Sequence, residues 1–214
     1  MSDLFREVDE EIRHERYMRL WKRYGPWLIG AALALVLVIA GYQGWQAYTR
    51  DKAMSAASDY AAAVDKAEAG NRAAAIQALG QLSESAPRGY RLVATFRRAE
   101  LQAAAGDTQA AVATWQSIAT DNETPEPYGT LAKLFAVMHR MDGGDAGALR
   151  KELQPIADGD NPFRTTALEL QAVLAARDGE RERAVELYKQ IADGADVPRQ
   201  QRQRATRMIA QLEG

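Results

Sequence analysis

The chain has 214 residues and a formal net charge of −2; that is enough for one ordinary domain plus an appended segment, with no basic surplus for nucleic acid. Apolar residues make up 47% of it, too many for an acidic disordered chain. With no Cys and only His14 and His139, disulfides and thiol nucleophiles are excluded, and neither a metal site nor any cofactor or small-molecule substrate is expected.

The first segment, residues 1–25, reads as a short tail. Ser2 to Tyr24 has a helical pattern, with Leu4, Phe5, Val8 and Ile12 near one face and acids and Arg opposite. It fits either an interfacial or docking helix or a polar tail.

Residues 26–49 carry no charged side chain. The stretch from Trp27 to Trp45 is long enough, at about 1.5 Å per residue, to span roughly 30 Å, the hydrocarbon thickness of a bilayer. Trp27 at one end and Tyr42, Trp45 and Tyr48 at the other sit where interfacial aromatic belts form. A cleavable signal peptide would want small residues just past the apolar run, and that place holds Tyr42, Gln43, Trp45 and Gln46. A transmembrane helix is therefore expected. Arg16, Arg19, Lys22 and Arg23 precede it, and only Arg50 and Lys52 follow, with Asp51 between them. Positive flanks stay in the cytoplasm, so the C-terminal part is expected on the far side of the membrane.

Residues 50–214 show a repeat. Short breaks recur at Gly70-Asn71, Gly106-Asp107, Gly144-Asp145 and Gly179-Glu180, spaced 36, 38 and 35 residues apart. Seven residues before each Gly stand Ala63, Ala99, Val137 and Ala172. Five after it stand Ala75, Ala111, Leu149 and Ala184; nine after, Leu79, Trp115, Leu153 and Tyr188; twelve after, Leu82, Ile118, Ile156 and Ile191. A Pro follows each unit: Pro87, Pro125, Pro162 and Pro198. Gly tolerates the left-handed conformation that ends a helix. Small residues let crossing helices approach, and positions nine and twelve share a core-facing stripe. Thr124-Pro125 and Asn161-Pro162 read as an N-cap followed by Pro at the first helical position. The spacing predicts four helix pairs, about 51–85, 89–120, 125–158 and 162–193, and a capping helix near 198–212. No breaker stands between Gly44 and Ala69, so the membrane helix is expected to run on into the first repeat helix. The fold class is all-α: an N-terminal transmembrane helix followed by a TPR-like (tetratricopeptide-like) α-hairpin solenoid.

The segment from Arg19 to Trp45, with its Trp21, Tyr24-Gly25, Leu28-Ile29-Gly30 and closing Gly41-Tyr42-Gln43-Gly44-Trp45, followed by an Ala-rich repeat domain, resembles the ancillary subunit family of the bacterial Sec translocon. Leu149 stands where that repeat usually has Ala. The resemblance implies a single-span inner-membrane protein with a cytoplasmic N-terminus and a periplasmic TPR-like domain. It implies as partners the translocon, periplasmic chaperones and exported chains, and no catalytic residues. Another membrane-tethered TPR adaptor, in envelope or cytochrome assembly, is the alternative.

A TPR stack lines a concave face with the first helix of each pair. Counting back from each Gly gives the candidate partner-binding residues Tyr60 and Val64; Val93, Phe96 and Glu100; Leu131, Leu134, Met138 and Met141; and Glu169, Val173 and Arg177. Met and aromatic side chains on a groove suit varied apolar clients. The last helix carries Arg199, Arg202, Arg204 and Arg207, read as a solvated face. Close carboxylates such as Asp142 and Asp145, or Asp158 and Asp160, fall at helix ends where Asp caps and turns are common. No P-loop, catalytic triad or metal spacing is present, so no enzyme is expected.

Overall fold

A computed structural model describes the backbone of residues 3–214 and the side chains of residue 18 and residues 21–214. The apolar face expected from Leu4, Phe5, Val8 and Ile12 lies outside the described side chains. Nine helices and no strand are present among the described residues: α1 (Asp3–Glu68), α2 (Arg72–Ser85), α3 (Arg88–Ala104), α4 (Thr108–Thr120), α5 (Glu126–Met138), α6 (Ala146–Asp158), α7 (Arg164–Arg177), α8 (Arg181–Ala192) and α9 (Arg199–Glu213). The chain divides into two compact units between Met54 and Ser55.

The first unit contains the uncharged stretch. Its helix passes through Pro26 without ending, and Gly25 leaves room for the Trp21 ring, which a Cβ there would meet at 3.3 Å. From Trp27 to Tyr48 every large apolar side chain is exposed. This is one helix long and apolar enough to cross a membrane. It continues as the first repeat helix, as the missing breaker predicted.

The second unit stacks helix pairs in chain order. The pairs are the end of α1 with α2, then α3 with α4, α5 with α6 and α7 with α8, and α9 closes the end. All sixteen positions of the repeat register are at most 7% exposed, so each column of the sequence alignment is a layer of the core. Ala63, Ala75 and Leu79 pack with Ala94 and Leu101 of the next pair. Ala99, Ala111, Trp115 and Ile118 pack with Ala132 and Ala136. Leu134 and Val137 join α6 to α9 around Leu149, Leu153, Leu174 and Tyr188. Each pair thus buries its apolar face only against its neighbours, and so no pair stands alone.

The residue after each break caps the second helix. The side chains of Asn71, Asp107 and Asp145 accept from the backbone N–H groups of Ala74, Ala110 and Ala148 at 3.3, 3.0 and 2.6 Å. Glu180 makes no such cap and instead accepts from Arg150 at 2.7 Å.

Three local expectations are corrected. Gly106 is left-handed (φ +85°), as are Gly70 and Gly179, but Gly144 is not. The third pair breaks earlier, after Met138, and crosses by a longer turn over residues 139–145. Gly144 is needed there for space, because a Cβ would lie 2.7 Å from the Arg140 carbonyl oxygen. Thr124 is not the α5 cap: Pro125 takes that place, and the Thr124 hydroxyl faces the Asp121 carboxylate at 3.4 Å. Asn161 is not the α7 cap: Phe163 is, and Asn161 forms the turn before it, accepting from the Phe163 N–H at 2.9 Å.

Candidate functional site

The exposed face of the first helices carries a groove of about 810 Å³. It is lined by Tyr60 and Val64 of α1, by Val93, Phe96, Arg97, Glu100, Ala103 and Ala104 of α3, by Trp115 of α4, and by Phe135 and His139 at the end of α5. The structure therefore brings together all five candidate residues of the first two pairs. The α3 residues recur every three or four positions, which sets them on one helix face.

Aromatic rings join the helices across the groove floor. Phe96 meets Phe135 edge to face at 6.5 Å, Phe135 lies 5.6 Å from Trp115, and Trp115 stacks on His139 at 4.6 Å. Such pairs add about 0.5–1.5 kcal/mol each beyond area burial and fix ring orientation. Val93 is 47% exposed on the wall. On the rim Arg97 donates to Glu100 at 2.7 Å. That hydrogen bond holds the Arg97 guanidinium above its ordinary pKa, with the Glu100, Tyr60 and Glu68 charges adding to it against partial burial. The pair sits one turn apart and leaves the rim without net charge. The groove offers stacking surface, with its polar contacts confined to the edge.

The candidates of the third and fourth pairs go elsewhere. Leu134 is 2% exposed inside the lower core, closed to any partner. Leu131 is half-buried, and Met141 packs against the lower core. Met138 and Val173 are exposed outside the groove. Glu169 accepts from Arg204 of α9 at 2.8 Å, so that arginine is paired and not simply solvated. Arg177 donates to the Gly144 carbonyl at 2.9 Å and to the Met141 carbonyl, which pins the long third turn.

Sequence reasoning missed Arg97, Trp115, Phe135 and His139. Trp115 was assigned to the core, and it is core: it is almost wholly buried, with one surface forming the groove floor. Phe135 and His139 each stand one residue beyond the expected Leu134 and Met138. The chain from 139 to 144 makes tight three-residue hydrogen bonds, Arg140 N–H to the Val137 carbonyl and Met141 N–H to the Met138 carbonyl. Val137, seven residues before Gly144, is buried like Ala99 before Gly106, so α5 keeps the repeat register, and Phe135 stands nine before its Gly as Arg97 does. No group of His and carboxylates that could hold a metal occurs among the described residues.

The family described as tetratricopeptide repeat-like domain matches residues 18–208. No curated protein matches the chain.

Proposed function

Because the chain belongs to the tetratricopeptide repeat-like domain family, whose members generally bind proteins and catalyse nothing, we propose that it is a membrane-tethered interaction scaffold. The observation that carries this reading is the aromatic groove formed by Tyr60, Phe96, Trp115 and Phe135, in a chain whose first helix also holds an uncharged stretch long and apolar enough to cross a membrane. In this reading residues 1–25 stay in the cytoplasm, 26–49 cross the inner membrane, and 50–214 lie in the periplasm. The flanking charges, Arg16, Arg19, Lys22 and Arg23 against Arg50 and Lys52, support that orientation. The groove holds an apolar segment of a partner, whose side chains stack on the rings while Arg97 and Glu100 contact its backbone.

The resemblance of Arg19–Trp45 supports a finer reading. The protein is an ancillary subunit beside the Sec translocon, and it passes exported chains to periplasmic chaperones. A photo-crosslinking residue at Val93, in the full chain in native membranes, tests it. Translocon subunits, chaperones or exported chains should dominate the adducts. Phe96→Glu combined with Phe135→Glu, with the helical spectrum retained, should abolish them. If the adducts persist in that double variant, the groove is not the binding surface. Protease added to spheroplasts should digest the repeats and spare the tail; the reverse pattern overturns the orientation.

A further inference from the structure

The back of α3 differs from the front. Arg88, Arg91, Leu92, Thr95 and Arg98 line a second cleft, of about 470 Å³, with Ser83 of α2, Ser117 of α4 and the Asp121–Pro125 turn. None of these residues lines the aromatic groove. The volume falls in the range of ligand sites.

Arg98 is the unusual member. Its Nε is buried and has no hydrogen-bond partner, and no carboxylate pairs with it among the described residues. The repeat supplies an internal comparison. Arg98 stands eight residues before Gly106, and Gln171 stands eight before Gly179. Gln171 is satisfied: its amide donates to the Arg150 carbonyl and to the Gln154 side chain, both at 3.1 Å. Gln154 stands ten residues after Gly144, and the residue ten after Gly70 is Gly80. Gly80 has no side chain to offer, and the Arg98 guanidinium lies 3.7 Å from where its Cβ would be. The second pair therefore keeps a guanidinium where the fourth keeps a closed amide network. The Arg98 guanidinium lines the cleft with no carboxylate among the described residues to neutralise it, so an anion that enters the cleft meets an uncompensated charge.

The rest of the cleft defines that anion. Glu123 is taken by Arg91 at 2.7 Å. Asp121 is taken by the Glu123 N–H at 2.9 Å. Three arginines against two carboxylates leave one positive charge, which suits a monoanion better than a phosphate dianion beside two acids. The hydroxyls of Ser83, Thr95 and Ser117 donate to the carbonyls of Gly80, Arg91 and Thr114 at 2.6, 2.7 and 2.7 Å. Each has spent its hydrogen and can only accept. A ligand that satisfies both features carries one carboxylate and several N–H groups.

We propose that this cleft binds a peptide carboxylate. The charge seats on Arg98, and backbone N–H groups of the ligand donate to the hydroxyl rim. Planar guanidinium–carboxylate pairing supplies two parallel hydrogen bonds, which lysine does not reproduce. This site is independent of the groove and stands whatever the groove binds.

The test is calorimetric titration of the full chain in detergent micelles with four probes. These are N-acetyl-tetra-alanine with a free C-terminal carboxylate, the same peptide amidated, an amidated N-acetyl-Ala-Asp-Ala-Ala, and inorganic phosphate. One or both carboxylate peptides should bind saturably, and the better of them identifies a chain terminus or an acidic side chain as the source. The fully amidated peptide and phosphate should bind at least tenfold more weakly. Arg98→Gln and Arg98→Lys should each lose tenfold or more. Ser117→Tyr keeps the charge but fills the cleft from an exposed position and should lose as much; it decides alone if Arg98→Gln does not fold. Equal binding of the amidated peptide, phosphate binding as tight as the peptides, no binding of any peptide, or undiminished binding in Ser117→Tyr each overturns the proposal.

Discussion

Leu153→Ala tests the repeat register most directly. Leu153 is fully buried in the core that joins α5 to α9, nine residues after the third break. The change deletes three carbons, or roughly 2.4 kcal/mol at about 0.8 kcal/mol each. A residual cavity between rigid helices raises the total to about 3 kcal/mol, within the usual span of about 2–5 for buried Leu to Ala. With a urea slope of about 2 kcal/mol/M, the midpoint should fall by about 1.5 M. Urea unfolding of the full chain in mild detergent, followed by helical ellipticity at 222 nm, measures it. Leu33→Ala is the matched control. It is the same chemical change at a residue 60% exposed in the uncharged stretch, and it should leave the repeat transition unmoved. A shift below about 0.5 M for Leu153→Ala, or an equal shift for the control, would refute the register as the source of stability.

Three further outcomes are expected. Asp107→Ala removes the side-chain cap of α4 and should cost about 1 kcal/mol, whereas Glu180→Ala, which breaks no cap, should cost less, both read from thermal unfolding. Gly106→Ala forces a side chain into a left-handed backbone at φ +85° and should cost about 1–2 kcal/mol; Gly144→Ala should also destabilise, but through the clash with the Arg140 carbonyl. Burial raises the Tyr188 pKa above 10.0, with the Glu169 charge adding to it and Arg204 opposing. The neutral phenol therefore stabilises the fold fully below pH 10, and that contribution is lost as pH rises through the raised folded value. Absorbance near 295 nm should show one late-titrating tyrosine, and Tyr188→Phe should remove it.

Much of the fold was written in offsets from four glycines. Ala75, Ala111, Leu149 and Ala184 are fully buried in one column although their sizes differ, because burial follows helix phase and the neighbouring pair adjusts to volume. The caps were less legible: Asp145 was expected at a helix end, but Asn71 and Asp107 cap directly after their breaks, whereas the caps expected from the sequence were Thr124 and Asn161. The third turn was not legible. Gly144 matched in spacing but serves space, not a left-handed backbone, and the tight bonds after Met138 leave no mark in residue type. On the same pair, Phe135 and His139 line the groove in place of the expected Leu134 and Met138. Arg98 gave no sequence signal at all, because its state depends on Gly80 across the helix crossing and on no local pattern.

The grip of Arg177 on the third turn reaches forward along the chain. Its acceptors, the carbonyls of Met141 and Gly144, are made more than thirty residues earlier. A chain synthesised in N-to-C order closes its opening pairs from contacts already made. The 139–145 crossing must wait until residue 177 has arrived. During that interval the third pair is a ready substrate for a protease or a chaperone. Stalling synthesis short of residue 177, and then releasing it, should open and close that window.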